Sequence, residues 1–360
     1  MPRFLRSLSF GLALVVLALS AVIYSLTWHP AQREPAASHC AAPAPALRAG
    51  QALKVMTWNL QYLAGKGYLF WNDLADGSGP DERPTPADLA HTLDEAARVL
   101  RDERPDLVLL QELHDGAKAS DYQDQLALLE ERLADLYPCT AQAFYWKSAF
   151  VPHPRILGSV GMKLAVLSRY RIDSAERLQL PLAHGDPLAR QFGLKRALLV
   201  ARLPIAGGGS LAVLDTHLDA PLPGDDTLPR QLAKSLEALG ELDAAGTPWI
   251  FGGDLAAAPP GQAERLAAIL GGTASDALAP LYGRYPMIPA LEEADGAEQA
   301  RWLTHFPNDP RVSAPDRTSD YLFHSPGLTR LDAQVRQRDT LRISTHLPLS
   351  ARLLLPAAHP

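Results

Sequence analysis

A mixed α and β domain behind an apolar N-terminal span is predicted by three features of this 360-residue chain. Short, mostly apolar runs of strand length recur at wide spacing: Leu53–Met56, Leu107–Leu110, Leu211–Leu214, Trp249–Phe251 and, more weakly, Leu341–Ile343. Segments with helical periodicity stand between them. Leu8–Trp28 is almost wholly apolar and carries no charge.

Residues 1–7 form a short N-terminus with Arg3 and Arg6. Leu8–Trp28 is long enough to cross a hydrocarbon core as a helix, and the flanking arginines favour a cytoplasmic N-terminus. A cleaved signal peptide is the competing reading, with Ala18-Leu19-Ser20 as a passable cleavage site before Ala21. The apolar stretch runs past that site, which favours an uncleaved anchor. Either reading places the remainder outside the cytoplasm, in the periplasm, at the cell surface or secreted. Residues 29–50 are rich in Ala and Pro without periodicity and read as a tether. The folded domain is expected over 51–360.

Within it, Thr85-Pro86-Ala87-Asp88 is a helix start: a capping Thr, Pro at the first helical position and an acid in the first turn. Leu89, Leu93, Ala96, Ala97 and Leu100 follow on one face, and Pro105 ends the helix before the Leu107–Leu110 strand. Asp121–Leu136 has Leu126, Leu129, Leu133 and Leu136 at helical spacing. Ala197–Leu203 and Leu211–Leu214 flank Gly207-Gly208-Gly209, which suits a hairpin turn. Tyr62–Pro84, with Tyr62, Tyr68, Phe70 and Trp71, reads as a long loop, either a packed insertion or a substrate-selecting lip. Phe144–Lys147 is a weaker candidate for the same mouth.

The composition, 47% hydrophobic and 21% charged, is globular, and the net charge of −6 argues mildly against a protein that coats nucleic acid. A nuclease survives this test, because a bound metal supplies local positive charge. The two cysteines, Cys40 and Cys139, have no metal-ligand spacing. They are either two thiols or, in an exported chain, one disulfide tying tether to domain.

The strand-like runs end in polar residues of a kind that holds a divalent cation and a phosphate. Glu112 stands after the four apolar residues Leu107–Leu110 and Gln111 and is the strongest metal-ligand candidate, since a lone buried carboxylate is costly and Mg²⁺ prefers oxygen; a surface or capping Glu is the bland alternative. Asn59 closes the first run. His217 and Asp215 share a strand face. Gly252-Gly253 lets backbone approach closely before Asp254. Ser344-Thr345-His346 ends the series.

The order Asn, Glu, His, Asp, His in these contexts resembles the endonuclease/exonuclease/phosphatase superfamily, over roughly Leu53 to Leu355. Lys195-Arg196 and Ser319-Asp320-Tyr321 also fit. The resemblance implies a deoxyribonuclease I-like α+β fold, a four-layer α/β/β/α sandwich of two mostly antiparallel sheets. It implies Mg²⁺ or Mn²⁺ at Glu112 with Asn59 beside it. His217 and His346 become phosphate contacts, Asp320 orients His346, Asp254 positions or deprotonates the attacking water, and Arg196 clamps phosphate oxygens. Two positions depart from the family pattern: Ala256 replaces an Asn and Thr345 replaces an Asp. The implied function is a metal-dependent phosphoester hydrolase, attenuated by those two changes and acting as a monomer; the apolar N-terminal span and the acidic net charge tilt its substrate toward a phospholipid or soluble phosphoester over DNA. A nuclease of the same fold and a catalytically dead binding domain are the alternatives.

Overall fold

The computed structural model describes residues 3–70, 73–74, 77–270 and 276–357. The apolar span forms one helix, α1 (Arg3–Leu26). Residues 29–50, expected as a tether, contribute β1 (Arg33–Pro35), β2 (Ala37–Cys40) and β3 (Leu47–Arg48). Their side chains have no strand period; the backbone groups pair with strand edges already present, β1 and β3 in one sheet and β2 in the other. Cys40 and Cys139 face each other in the β2 ladder and are disulfide-bonded.

The first sheet has the order β14-β15-β4-β5-β7-β6-β2, built from β4 (Ala52–Asn59), β5 (Leu107–His114), β6 (Cys139–Val151), β7 (Gly158–Ser168), β14 (Thr329–Val335) and β15 (Leu349–Leu354) with β2. The second runs β1-β8-β9-β10-β11-β13-β12, from β8 (Ser174–Gln179), β9 (Ala197–Ala206), β10 (Ser210–His217), β11 (Trp249–Asp254), β12 (Met287–Ile288) and β13 (Asp320–His324), with β3 beside β9. Most ladders are antiparallel; β4/β5, β10/β11 and β3/β9 are parallel. The expected glycine hairpin joins β9 to β10.

Three apolar clusters divide four layers. Leu53, Val55, Leu109, Leu199, Val213, Ile250 and Leu322 fill the space between the sheets. Met56, Trp58, Val108 and Leu110 face α2 (Pro86–Glu103) and α3 (Gln125–Leu133). Val200, Leu214, Trp249 and Phe251 face α5 (Thr227–Ala244), through Leu228, Leu232 and Leu239. The chain is therefore the expected α/β/β/α sandwich. Helix α2 begins as its sequence dictates: Thr85 Oγ1 accepts from Asp88 N, Asp88 closes the capping box and Pro86 opens the first turn.

One expected strand is absent. Leu341–Ile343 forms turns, with Ile343 N donating to Thr340 O. It lies beyond the end of the ladder that β15 makes with β4, where Leu349 faces Thr57, so no free edge is offered to it.

Strand parity carries the core into the site. Leu53 and Val55 point between the sheets, so Thr57 and Asn59 do too. Leu211 and Val213 bring Asp215 and His217 to that layer, and Ile250 brings Asp254. Gly253 has φ +134°, and a Cβ there would collide with Thr216 O. That glycine lets β11 press against β10 until His217 is paired with Asp254 in register.

A candidate phosphoester site at the strand ends

The six principal residues predicted from sequence converge at one end of the sandwich. Asn59 Nδ2 lies 2.9 Å from Glu112 Oε1 and 3.0 Å from Asp254 Oδ2, and its own Oδ1 accepts from Gln61 N. Asp254 Oδ2 is the centre of the cluster: His217 Nε2 is 3.4 Å away and His346 Nε2 is 3.6 Å away. His217 Nδ1 is 3.6 Å from Glu112 Oε1. His346 Nδ1 is held by Asp320 Oδ2 at 2.8 Å.

Glu112 reaches this cluster through a backbone irregularity. Strict alternation would turn it outward with Val108 and Leu110. The β5–β7 register slips between Leu110 and Leu113, and Glu112 adopts φ +59°. This bulge re-aims one carboxylate into the site within a strand that continues to His114. Glu112, His217 and Asp254 bring one ligand atom each within 4.8 Å of one another, and so do Asp254, Asp320 and His346.

The two histidines have opposite charge preferences. Burial, helped by the Arg196 guanidinium, pushes His217 down to about 3, so its imidazole is neutral. Burial also opposes charge on His346, but Asp320 and Asp254 outweigh it and hold the pKa up at about 9. Burial raises the Glu112 pKa, against the hydrogen bond from Asn59. An oxygen-rich pocket whose acid resists ionisation without a counter-charge is the donor set a hard divalent cation fits.

Arg196 is less directly engaged than expected. Its Nε donates to Asp219 Oδ1 at 2.9 Å, its guanidinium lies over the Tyr145 ring, and its Nη1 has no hydrogen-bond partner. Tyr145 OH in turn is 3.4 Å from His217 Nδ1. Asp215 does not contact His217 through a hydrogen bond; it accepts from Gln111 Nε2 at 2.6 Å and lies fully buried, and desolvation raises its pKa well above the ordinary carboxylate value.

The two departures have clear local settings. Ala256 has φ +54°, a left-handed conformation that Asn tolerates better than Ala, and its N donates to Asp254 Oδ1 at 2.9 Å. The Ser344–His346 turn is stitched to the end of β4: Ser344 Oγ donates to Asn59 O, Thr345 N to Gln61 Oε1, and Trp58 Nε1 to His346 O. Sequence reasoning missed His305, whose ring packs edge-on against His346 at 5.0 Å while its Nδ1 pairs with Asp316. No local pattern marks it, because its partner is a chain neighbour only in space. Of the long loop, Tyr62 stacks on His114 and meets Phe70 edge-on, so this part packs on the domain; Trp71 lies outside the described residues.

A family model described as the Endonuclease/Exonuclease/phosphatase family matches residues 56–341. Enzymes so named act on phosphoester bonds. No curated relative matches the sequence. Among solved structures, an endonuclease/exonuclease/phosphatase from Beutenbergia cavernae is similar with TM-score 0.54 and 22% identity, covering 85% of this chain and 72% of that one. The human nocturnin catalytic domain with bound sulfate aligns with TM-score 0.53 and 17% identity over 89% and 98%. TDP2 from Caenorhabditis elegans gives 0.52 and 17% over 85% and 75%. At these identities the likeness is one of fold.

Proposed function

The chain belongs to the endonuclease/exonuclease/phosphatase family, and on that premise we propose that it is a divalent-metal-dependent phosphoester hydrolase held at a membrane by α1. The observation that carries the reading is the junction at Asp254 Oδ2, where Asn59, His217 and His346 meet beside Glu112. Glu112, oriented by Asn59, would hold Mg²⁺ or Mn²⁺. A bound ion supplies Lewis-acid polarisation of the phosphoryl group.

The protein groups then divide the work. Asp254 orients a water and takes its proton as oxygen adds to phosphorus; the ester P–O bond breaks and the departing alkoxide leaves as the alcohol, taking a proton from solvent. His346 is cationic at neutral pH, held so by Asp320, and donates to a phosphoryl oxygen as charge grows there. Neutral His217 donates a hydrogen bond without adding charge. Arg196 Nη1 is the remaining donor for phosphate. Ala256 and Thr345 remove an amide and a carboxylate, and one lost preorganised donor typically costs ~3 kcal/mol, so turnover is attenuated. The disulfide agrees with a domain outside the cytoplasm, where such bonds persist.

The test is a screen of phosphodiesters, phosphomonoesters and plasmid DNA with Mg²⁺ or Mn²⁺, before and after EDTA. Metal-dependent hydrolysis that His346→Ala lowers by ~100-fold or more is expected. Hydrolysis of nothing, with a metal that still raises the melting temperature, would instead favour a binding domain.

A further inference from the structure

The mouth of the site and the exit of α1 lie at the same end of the sandwich. Thr27, directly after α1, bridges to Ser148 near the end of β6, and Ser148 Oγ donates to Leu26 O. Trp28 packs edge-on against Phe144 and under the Arg177 guanidinium. Ser148 faces Val160 of β7, beyond Met162, and Met162 faces His114 at the site end of β5.

Outside α1, six large apolar side chains are exposed among the described residues: Tyr122, Phe150, Leu157, Leu188, Leu222 and Leu331. The first five belong to connecting segments and a hairpin tip at the site end. Tyr122 follows β5, Phe150 and Leu157 flank the β6–β7 hairpin tip, and Leu222 follows β10. Leu188 is on α4 (Pro187–Phe192), between the end of β8 and the start of β9, which face the end of β10. Only Leu331 lies away from this rim, on edge strand β14. Single exposed apolar side chains are ordinary on a soluble surface; what marks these is that five of the six lie at the end where α1 leaves the domain. A cation accompanies them: exposed Arg190 lines a cavity of about 410 Å³ beside the tether residues His29 and Gln32, whose wall also holds Lys234, paired with Glu237, and buried Lys195, which donates to Gln191 O.

We infer that this rim rests on the bilayer that holds α1, and that the phosphoester presented to the site is a phospholipid headgroup. Apolar tips that enter the acyl boundary beside a cation that meets headgroup phosphates are the composition of an interfacial surface. Covalent continuity with α1 selects that membrane as the occupant. The lipid assignment rests on the phosphoester hydrolase reading; the surface rests only on α1 being retained as a membrane anchor.

Both native cysteines are bridged, so Leu157→Cys, Leu222→Cys and Leu331→Cys each supply one free thiol for an environment-sensitive fluorophore. The full-length protein is reconstituted into phosphatidylcholine/phosphatidylglycerol vesicles with brominated acyl chains. Probes at 157 and 222 should be quenched and the probe at 331 should not; equal exposure at all three positions overturns the surface. In the same vesicles, Phe150→Ser/Leu157→Ser should lower headgroup release by at least ~10-fold, the worth of about one buried apolar side chain. It should leave a short water-soluble phosphodiester within ~2-fold. Equal loss on both substrates, or hydrolysis of DNA with none of lipid, overturns the substrate assignment. A parent protein inactive on every phosphoester defeats the hydrolase reading, while the probes still decide the surface.

Discussion

Glu112 shows how much a single backbone angle decides. Its identity as a ligand candidate follows from sequence, but its direction does not: the φ of +59° at the β5 bulge turns it toward Asn59. Glu112→Gln keeps the shape and removes the charge, so Mg²⁺ affinity by titration calorimetry should fall at least ~10-fold; an unchanged affinity would refute the ligand assignment. Ala256, at φ +54°, occupies a conformation that costs an L-residue ~1–2 kcal/mol and suits Asn. Ala256→Asn alone should raise the melting temperature slightly. Combined with Thr345→Asp it should raise turnover by at least ~10-fold. The new carboxylate adds like charge near Asp254, so the double variant should gain more from Mg²⁺ in thermal melts than the parent. A folded double variant with neither metal stabilisation nor hydrolysis would defeat the attenuated-enzyme reading. Asn59, His217 and Asp254 were legible because each sits at the end of an apolar run whose parity points inward. The Arg196–Asp219 pair and the His305–His346 packing were not, since they join loops distant in sequence.

At the scale of elements, legibility followed local signals. Helix α2 announced itself through its cap and period, and both proved sufficient. Helix α5 was absent from the sequence expectations, although Leu228, Leu232, Leu239 and Leu242 lie at helical spacing in it; Gln231 and Ser235 share their buried face, interrupting the apolar stripe. Strands β1, β2 and β3 were invisible because edge pairing uses backbone groups, which carry no side-chain signature. For α1, the 18-residue window Ser9–Leu26 has mean hydropathy 2.2. We expect the chain to stay with membranes through high-salt and carbonate washes. A soluble product whose sequenced N-terminus is Ala21 would identify the segment as a cleaved signal instead.

The whole molecule should report its buried histidines through pH. Burial pushes both His114 and His217 down to about 3, whereas an unfolded His titrates near ~6.5. Their folded pKa values are depressed, so the native state refuses protons that the unfolded chain accepts. Stability is full above about pH 6.5 and falls as pH drops, by up to ~1.4 kcal/mol per unit for each group. His346 acts oppositely: raised to about 9, it stabilises below about pH 6.5 and loses that contribution as pH rises through about 9. Thermal melts of EDTA-treated protein should therefore peak near neutrality; a flat profile between about pH 5 and 7 would count against neutral buried imidazoles. The tether, for its part, constrains how substrate is found. The first strand of the domain begins at Arg33, and the disulfide and the strand ladders fasten the rest of the tether to the sandwich. Thr27 bridges to Ser148 and Trp28 packs against Phe144, so only residues 29–32 between them and β1 are left as slack, ~13 Å at full stretch. With α1 in a bilayer, the site cannot forage in the surrounding fluid. As the anchored hydrolase proposed above it would patrol a plane, with an encounter rate set by lateral diffusion and by the surface density of its substrate.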